Sequence, residues 1–297
     1  MAQKNSKPLK WGFLAVAAFA LSPVLAMAEP KPGIERVKDN VYRFSYEHYH
    51  SAFMVTEEGI VVTDPINEEA AGWLKTELAE RFDVPIRYMV YSHNHIDHVM
   101  GGDVLDSDEV TVVAHEYAAQ DLEWTRAPTA MPELTFPDEL TLRLGESRVQ
   151  LRYHGPNNGR GSVSMRFLPA NVMYVVDWVV LGRMMYRDLP GYDIHGVIAS
   201  TRDLLSGEPF DRFVGGHGEM GTREDVEDYL AYTKALYNAV LDGMLAGRDL
   251  KTLKQEIRLS EYSHLSMYEE WLPMNVEGVH RTLIDQSYID RRLNTGN

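Results

Sequence analysis

The sequence has no cysteine at all. That absence excludes disulfides and thiolate metal sites, so any metal must be held by imidazole and carboxylate. There is no Gly-x-Ser-x-Gly elbow either, which removes one familiar route to a serine nucleophile. Positive charge is scarce: 29 Lys and Arg stand against 44 Asp and Glu, for a formal net charge of −15. Such a surface repels phosphate backbones, so neither nucleic acid nor an anionic membrane is an expected partner. A small-molecule substrate remains open, because a bound metal reverses the local field.

Long apolar runs are also missing beyond the N-terminus. The first 28 residues read as an export signal: Lys4, Lys7 and Lys10, then the apolar WGFLAVAAFALSPVLA, then a small-x-small site at Ala26-Met27-Ala28. The run is broken by Ser22 and Pro23 and is short for a span of about 20 residues. Cleavage near Ala28, with no stable membrane anchor left, implies a periplasmic or secreted protein. Because the leader carries three lysines and no acid, the mature chain falls from −15 to −18. Residues 29–297 then form a single domain with a helical C-terminal portion. No linker or repeat divides them, and 297 residues at 44% hydrophobic content suffice for a sizeable core.

Along that domain, NVYRFSY and SAFMVTEEGIVVTDP read as strands, the latter turning at Glu57-Glu58-Gly59. Residues 68–82 suit a helix with Ala71, Leu74, Leu78 and Phe82 on one face. IRYMVYS is a buried strand, AHEYAAQDLEW a short helix, and LTLRLGESRVQLRYHG a hairpin. SVSMRFLP and VMYVVDWVV continue the strand pattern. Thr222 and Asp225 cap a helix carrying Val226, Tyr229, Leu230, Thr233, Leu236, Tyr237 and Val240. Strands and helices mixed in both halves favour an α/β chain of sheets covered by helices.

What the chain does have is SHNHIDHVMGG, residues 92–102. Three of the 11 histidines and one aspartate fall within six positions directly after a buried strand. His93 and His95, two apart, point to one side of an extended segment, whereas Asp97 and His98 project differently. This suits a second metal or a second side of the same one. Gly101 and Gly102 allow a tight bend behind them. Imidazole and carboxylate without thiolate suit Zn²⁺, with Fe or Mn as alternatives.

HNHIDH resembles the HxHxDH signature of the metallo-β-lactamase superfamily, and the resemblance runs over roughly residues 34–285. It implies an αβ/βα sandwich, two mixed β-sheets face to face with helices outside and the site at one edge. It implies that His93 and His95 serve one metal, that Asp97, His98 and His217 (in VGGHGEMG) serve another, and that Asp177 (in YVVDWVV) bridges both. Asp64, in GIVVTDP, is then an outer partner that orients ligands.

The family pattern also has a histidine in a loop resembling GPGHT, where this chain reads YHGPNNGRGS. If Gly155-Pro156 aligns, Asn158 stands at the histidine's position, with His154 as an alternative substitute ligand. An amide oxygen is a poorer zinc ligand, so one or two Zn²⁺ are expected, with the first site weakened.

Three outcomes follow from that exchange: one tightly held metal, a weak first metal, or a pocket that only binds. The resemblance implies an exported metal-dependent hydrolase that cleaves an ester, lactone, thioester or β-lactam bond with metal-activated water, Asp97 handling the proton. The alternative is a catalytically impaired metal- or ligand-binding protein. Arg183, Arg187 and Tyr192, in the segment after Asp177, are candidates to meet an anionic substrate group. His48 and His50 read as loop residues rather than ligands. Oligomeric state is not legible.

Overall fold

In a computed structural model of the protein, residues 32–287 and 289 are described; the proposed leader lies outside them. The first sheet orders its seven strands as in the sequence: β1 (Gly33–Lys38), β2 (Val41–Tyr46), β3 (Tyr49–Thr56), β4 (Gly59–Thr63), β5 (Ile86–Val90), β6 (Thr111–His115) and β7 (Leu134–Phe136). Its first four strands are antiparallel, whereas β4 through β7 run parallel. The second sheet comprises β8 (Glu139–Leu144), β9 (Ser147–Tyr153), β10 (Val163–Leu168), β11 (Val172–Val175) and β12 (Arg212–Gly215). It is antiparallel except for the β11–β12 pair. Both sheets are therefore mixed, as the resemblance implies.

The parallel pairs need crossovers, and the helices supply them. α1 (Glu68–Arg81) joins β4 to β5; α2 (Ile96–Val99) and α3 (Gly102–Leu105) lie between β5 and β6; α4 (Glu116–Thr125) follows β6. α5 (Ile194–Ser206) connects β11 to β12, and α6 (Arg223–Leu245), α7 (Leu250–Glu256) and α8 (Tyr268–Ser287) complete the chain. α1 starts where Asn67 accepts the Ala70 N–H at 2.9 Å, and α6 where Thr222 and Asp225 form a reciprocal capping box. Among the described residues, no helix is long and apolar enough to cross a membrane.

Three apolar layers hold the sandwich together. Between the sheets lie Val41, Met54, Val61, Val90 and Val113 of the first against Leu151, Met165, Phe167, Val172 and Val214 of the second. Ala71, Leu74 and Leu78 of α1 cover the outside of the first sheet, matching the face read from the sequence; Phe82, only half-buried, packs at its margin. Outside the second sheet, Tyr229, Tyr232 and Leu236 of α6 and Trp271, Val276 and Val279 of α8 close the last layer. The C-terminal tyrosines Tyr229 and Tyr232 thus pack within the chain.

Two local readings need correction. VMYVVDWVV is not one strand: β11 ends at Val175, and Asp177 sits in the left-handed region at φ 69°. The left-handed region is uncommon for non-glycine residues, although aspartate is among the more tolerant. The helix read over AHEYAAQDLEW begins only at Glu116, because Ala114 and His115 belong to the strand TVVAH, which forms β6. It lacks the two-residue alternation of a half-exposed strand because its neighbours cover both faces.

Candidate metal centre

Ligand-bearing segments emerge where parallel strands end. β11 and β12 pair Val175 with Gly215, so Asp177 and His217 each follow two residues later from adjacent strands. β4 and β5 pair Thr63 with Val90, which brings Asp64 beside the turn that leads into His93. Such strand ends are rigid platforms with adaptable loops.

The turn after β5 is fixed from several directions. Ser92 N–H donates to Asp64 Oδ1 at 2.8 Å, and Tyr174 O–H donates to Asp64 Oδ2 at 2.7 Å. Ser92 O accepts from Val163 N–H of the second sheet at 2.9 Å. Burial pushes the Asp64 carboxyl up, against these bonds and the His98 charge. Asp64 touches no ligand atom directly; it holds the backbone that carries them. Gly101 and Gly102 are needed for close approach rather than for an unusual φ. A Cβ on Gly102 would lie 2.1 Å from Tyr91 Oη, and one on Gly101 would lie 2.5 Å from Asn67 O.

Asp177 is the hub. Its Oδ2 stands 3.1 Å from His93 Nε2, 3.1 Å from His95 Nδ1 and 3.0 Å from Asn158 Nδ2. Its Oδ1 faces His98 Nε2 and His217 Nε2, each at 3.4 Å. One carboxylate therefore looks onto two groups of side chains. In each of the trios His93–His95–Asp177 and Asp97–His98–His217, one ligand atom per residue lies within 4.8 Å of the others. This is the division into two halves that the resemblance implies.

Outer contacts set the imidazoles. Ser92 Oγ lies 2.8 Å from His93 Nδ1, leaving Nε2 toward Asp177. His217 Nδ1–H donates to His48 O at 3.0 Å, which likewise frees Nε2. His48 acts here through its backbone. His50 bonds Ser45 Oγ at 2.9 Å and supplies no ligand atom. Burial and the neighbouring His95 lower His93 to about 4, so it is neutral near pH 7, as a ligand must be. Burial also lowers His217. His98 goes the other way: burial opposes its charge, but Asp177 and Asp97 raise it to about 9. Burial likewise works against the Asp177 carboxylate, yet His98, His93 and His95 hold it well below the usual range.

The residues fit a bound metal. Both ring nitrogens of buried His98 lack a hydrogen bond, as does the buried Asn158 Oδ1. Buried polar atoms are costly to leave unpaired, and these face the acidic and imidazole groups that a cation would gather. Imidazole and carboxylate are donors for Zn²⁺, Fe or Mn.

Asn158 stands against the His93–His95 half, where the loop alignment puts it. His154 does not join it. Its Nδ1 lies 2.6 Å from Asp203 Oδ2 and its Nε2 2.7 Å from Ser164 Oγ. Both ring nitrogens are thus engaged in a buried crosslink between α5, β10 and the end of β9. Replacing His154 with Ala is expected to cost about 2 kcal/mol of stability by leaving Ser164 and Asp203 short of a partner. Urea denaturation measures that cost, and metal content per folded chain should stay unchanged.

The two trios open on a cavity of about 240 Å³. Among its lining residues are His95, Asp97, Asn158, Asp177 and His217, with His48, Tyr49, Arg183, Tyr186, Pro190 and Tyr192 as the other walls. Tyr192 O–H donates to Asp177 O at 3.0 Å and pins the hub's unusual backbone. Arg183 reaches the cavity, whereas Arg187 does not line it and lies over the Tyr186 ring instead. Tyr49, at the start of β3, and Tyr186, in the loop after β11, carry no signal in the sequence, where a single tyrosine does not show which way it faces.

Comparison with known proteins agrees with this fold. Among solved structures, a metallo-beta-lactamase from Pontibacter korlensis superimposes with a TM-score of 0.62 at 18% identity, covering 69% of this chain and 99% of that one. A double mutant of the sec-alkyl sulfatase PisA1 gives a TM-score of 0.71 at 16% identity, over 90% of this chain and 52% of that one. Among curated proteins, the 2,4-dinitroanisole O-demethylase subunit alpha of Nocardioides sp. (strain JS1661) is 25% identical over 226 residues, 75% of this chain and 68% of that protein. The family model for the metallo-beta-lactamase superfamily matches residues 46–217, more than half of the sequence. This chain belongs to the metallo-β-lactamase superfamily.

Proposed function

We propose that the protein is a zinc-dependent hydrolase of small esters, lactones, thioesters or β-lactams. The observation that carries this reading is the pair of ligand trios around Asp177 at the wall of a small cavity. Zn²⁺ bound there supplies Lewis acidity, lowering the pKa of water to about 7 and polarising the scissile carbonyl. The chain's own groups do the rest. Neutral His93 and His217 present lone pairs, each oriented by an outer contact. Asp97, partly exposed at the cavity, can accept the proton of the attacking water and return it to the leaving group. Tyr49, Tyr186 and Tyr192 bound the space and exclude bulk water from part of it.

A second reading is favoured by those tyrosine walls. They suit an aromatic substrate, and the relative from Nocardioides is named for O-demethylation of 2,4-dinitroanisole. Hydrolysis of such an ether would release coloured 2,4-dinitrophenolate and methanol.

A panel of chromogenic β-lactam, lactone, ester and thioester substrates, with 2,4-dinitroanisole beside them, separates the two readings. Zinc-loaded protein is expected to turn over at least one carbonyl substrate and to lose that activity with a chelator. Metal binding without turnover of any member would leave a binding protein. The same reading has the enzyme act outside the cytoplasm after removal of residues 1–28. Intact-mass analysis of the exported protein should then give a chain beginning at Glu29, and an unprocessed N-terminus would refute it.

A further inference from the structure

Away from the metal centre, Ser164, His154 and Asp203 stand in one hydrogen-bonded line. Ser164 Oγ lies 2.7 Å from His154 Nε2, and His154 Nδ1 lies 2.6 Å from Asp203 Oδ2. Ser164 is on β10, His154 directly follows β9, and Asp203 sits late in α5. The carboxylate fixes the order of protons along the line. An ionised carboxylate only accepts, so Nδ1 carries its hydrogen toward Asp203, and Nε2 keeps a lone pair for the Ser164 O–H. Burial lowers His154 below the ordinary imidazole value, although Asp203 opposes it, so the ring is neutral near pH 7 and free to take a proton.

A purely structural crosslink needs no opening, yet this one has one. His154 and Ser164 line a cavity of about 210 Å³ between the second sheet and the end of α5, together with Gln150, Arg152, Arg166 and Leu204. None of these residues lines the metal cavity. Arg152 is the direct partner of Ser164 across β9 and β10, which puts the two side chains on the same face. Its Nη2 donates to Asp203 at 3.0 Å. Its Nη1 would stand 3.8 Å from a Cβ on Gly207, another wall of the cavity. A guanidinium is therefore held beside Ser164, where charge would develop on a carbonyl oxygen under attack. A base on one side of a hydroxyl, oriented by a third group, is the arrangement that activates a serine nucleophile.

We propose that Ser164 is a nucleophile, activated by His154 and oriented through Asp203, that takes up a short acyl group from donors such as thioesters. Ser164 Oγ bonds to the acyl carbon while its proton passes to His154 Nε2. The tetrahedral oxyanion faces Arg152 and collapses as the C–S bond breaks. The thiolate leaves with the bonding pair, His154 gives up its proton, and the products are acyl-Ser164 and a thiol. The cavity is smaller than the roughly 300 Å³ at which pockets for drug-sized ligands begin, which limits the acyl chain to a few carbons. The His154 side chain is 1% exposed and Ser164 3%. A hydrolytic water has little room beside Nε2 once the acyl group is in place, so the product is a lasting acyl-serine rather than a hydrolytic cycle. The inference is independent of the zinc-hydrolase reading.

The test treats the full chain, once zinc-loaded and once with a chelator, with a small alkyl fluorophosphonate and separately with 4-nitrophenyl acetate. Fluoride and 4-nitrophenolate both leave as anions, as a thiolate does. Intact mass and peptide mapping are expected to show one added group per chain on Ser164, formed at the same rate with and without zinc. Ser164→Ala removes a single oxygen and should abolish the adduct. Asp203→Asn keeps the side-chain shape, but its amide can donate to Nδ1 and so place the ring hydrogen on Nε2. Labelling of Ser164 should then slow by about 100-fold or more, an effect that a merely structural hydrogen bond would not produce. No adduct on Ser164, or an adduct that forms equally fast in Asp203→Asn, would overturn the proposal. Labelling that requires zinc would overturn it as well, by assigning the reaction to the metal centre. Absence of zinc-dependent turnover would sink the hydrolase reading alone and leave this result standing.

Discussion

Asp177→Asn is expected to strip the protein of bound metal while leaving its fold intact. The substitution keeps the side-chain shape but removes the one negative charge that both ligand trios share. Oδ2 faces His93 and His95, and Oδ1 faces His98 and His217, so the first half loses its one carboxylate and the second keeps only Asp97. Losing only an outer hydrogen-bond partner of a ligand costs about 10–100-fold in metal affinity or activity. Loss of the shared carboxylate should exceed that in both zinc affinity and turnover. The raised pKa of His98 should also fall, because Asp177 is its strongest supporting charge. Zinc content by plasma mass spectrometry and the rise in Tm on adding zinc measure the outcome. A variant that still binds zinc like the wild type would show that Asp177 is only a buried hydrogen-bond acceptor.

Asn158→His is expected to act in the opposite direction. In the native chain, Asn158 Nδ2 donates to the same Asp177 oxygen that His93 and His95 approach, and Asn158 Oδ1 is left without a partner. The amide thus satisfies the carboxylate by hydrogen bonding on the side where the family pattern has a third imidazole. The Asp97–His98–His217 half brings three protein ligands together without drawing on Asp177 and should fill first. With limited zinc, the native protein should bind close to one ion per chain. The histidine variant should approach two, with affinity at the weaker position raised by about ten-fold or more, since imidazole is the better zinc donor. Equal stoichiometry in the two proteins would mean that the His93–His95 half either is complete without an imidazole at 158 or is not a metal position. Equilibrium dialysis against buffered zinc reads both stoichiometry and affinity.

How far the site was legible depended on where its information lies. His93, His95, Asp97 and His98 are local in sequence and directly follow a strongly apolar strand, so spacing alone exposed them. Asp177 and His217 are remote, and only the family resemblance joined them to the cluster. The parallel pairing of Val175 with Gly215 is the physical reason they meet. Asn158 was found as a departure from a pattern, because a missing ligand is visible only against an expected one. His154 was ambiguous, since a histidine at a strand end gives no sign of its partners. Asp203 and Ser164, 49 and 10 residues away, settle its position as a crosslink.

The fold was legible to a similar degree. Helix α6 announced itself through its capping box and its apolar stripe. β6 did not, because TVVAH is too short to separate a buried strand from the start of the following helix. The end of β11 before Asp177 was hidden by the apolar residues on both sides of the aspartate. Those residues pack into different layers, Val175 and Trp178 on the helical side and Val176 between the sheets. Arg183 lay in the candidate segment, but its place over the Trp271 ring, 5.1 Å from the centroid, depends on a helix about ninety residues further along.

A zinc titration of activity tests most directly whether the cluster around Asp177 is a working metal centre. Metal-free protein should be titrated with zinc while turnover of its best substrate is followed at each added equivalent. Activity is predicted to rise from a negligible level to near its maximum by about one equivalent, with any further rise shallow because Asn158 weakens the other half. Full activity in the metal-free protein, or zinc binding with no activity at any loading, would contradict the account.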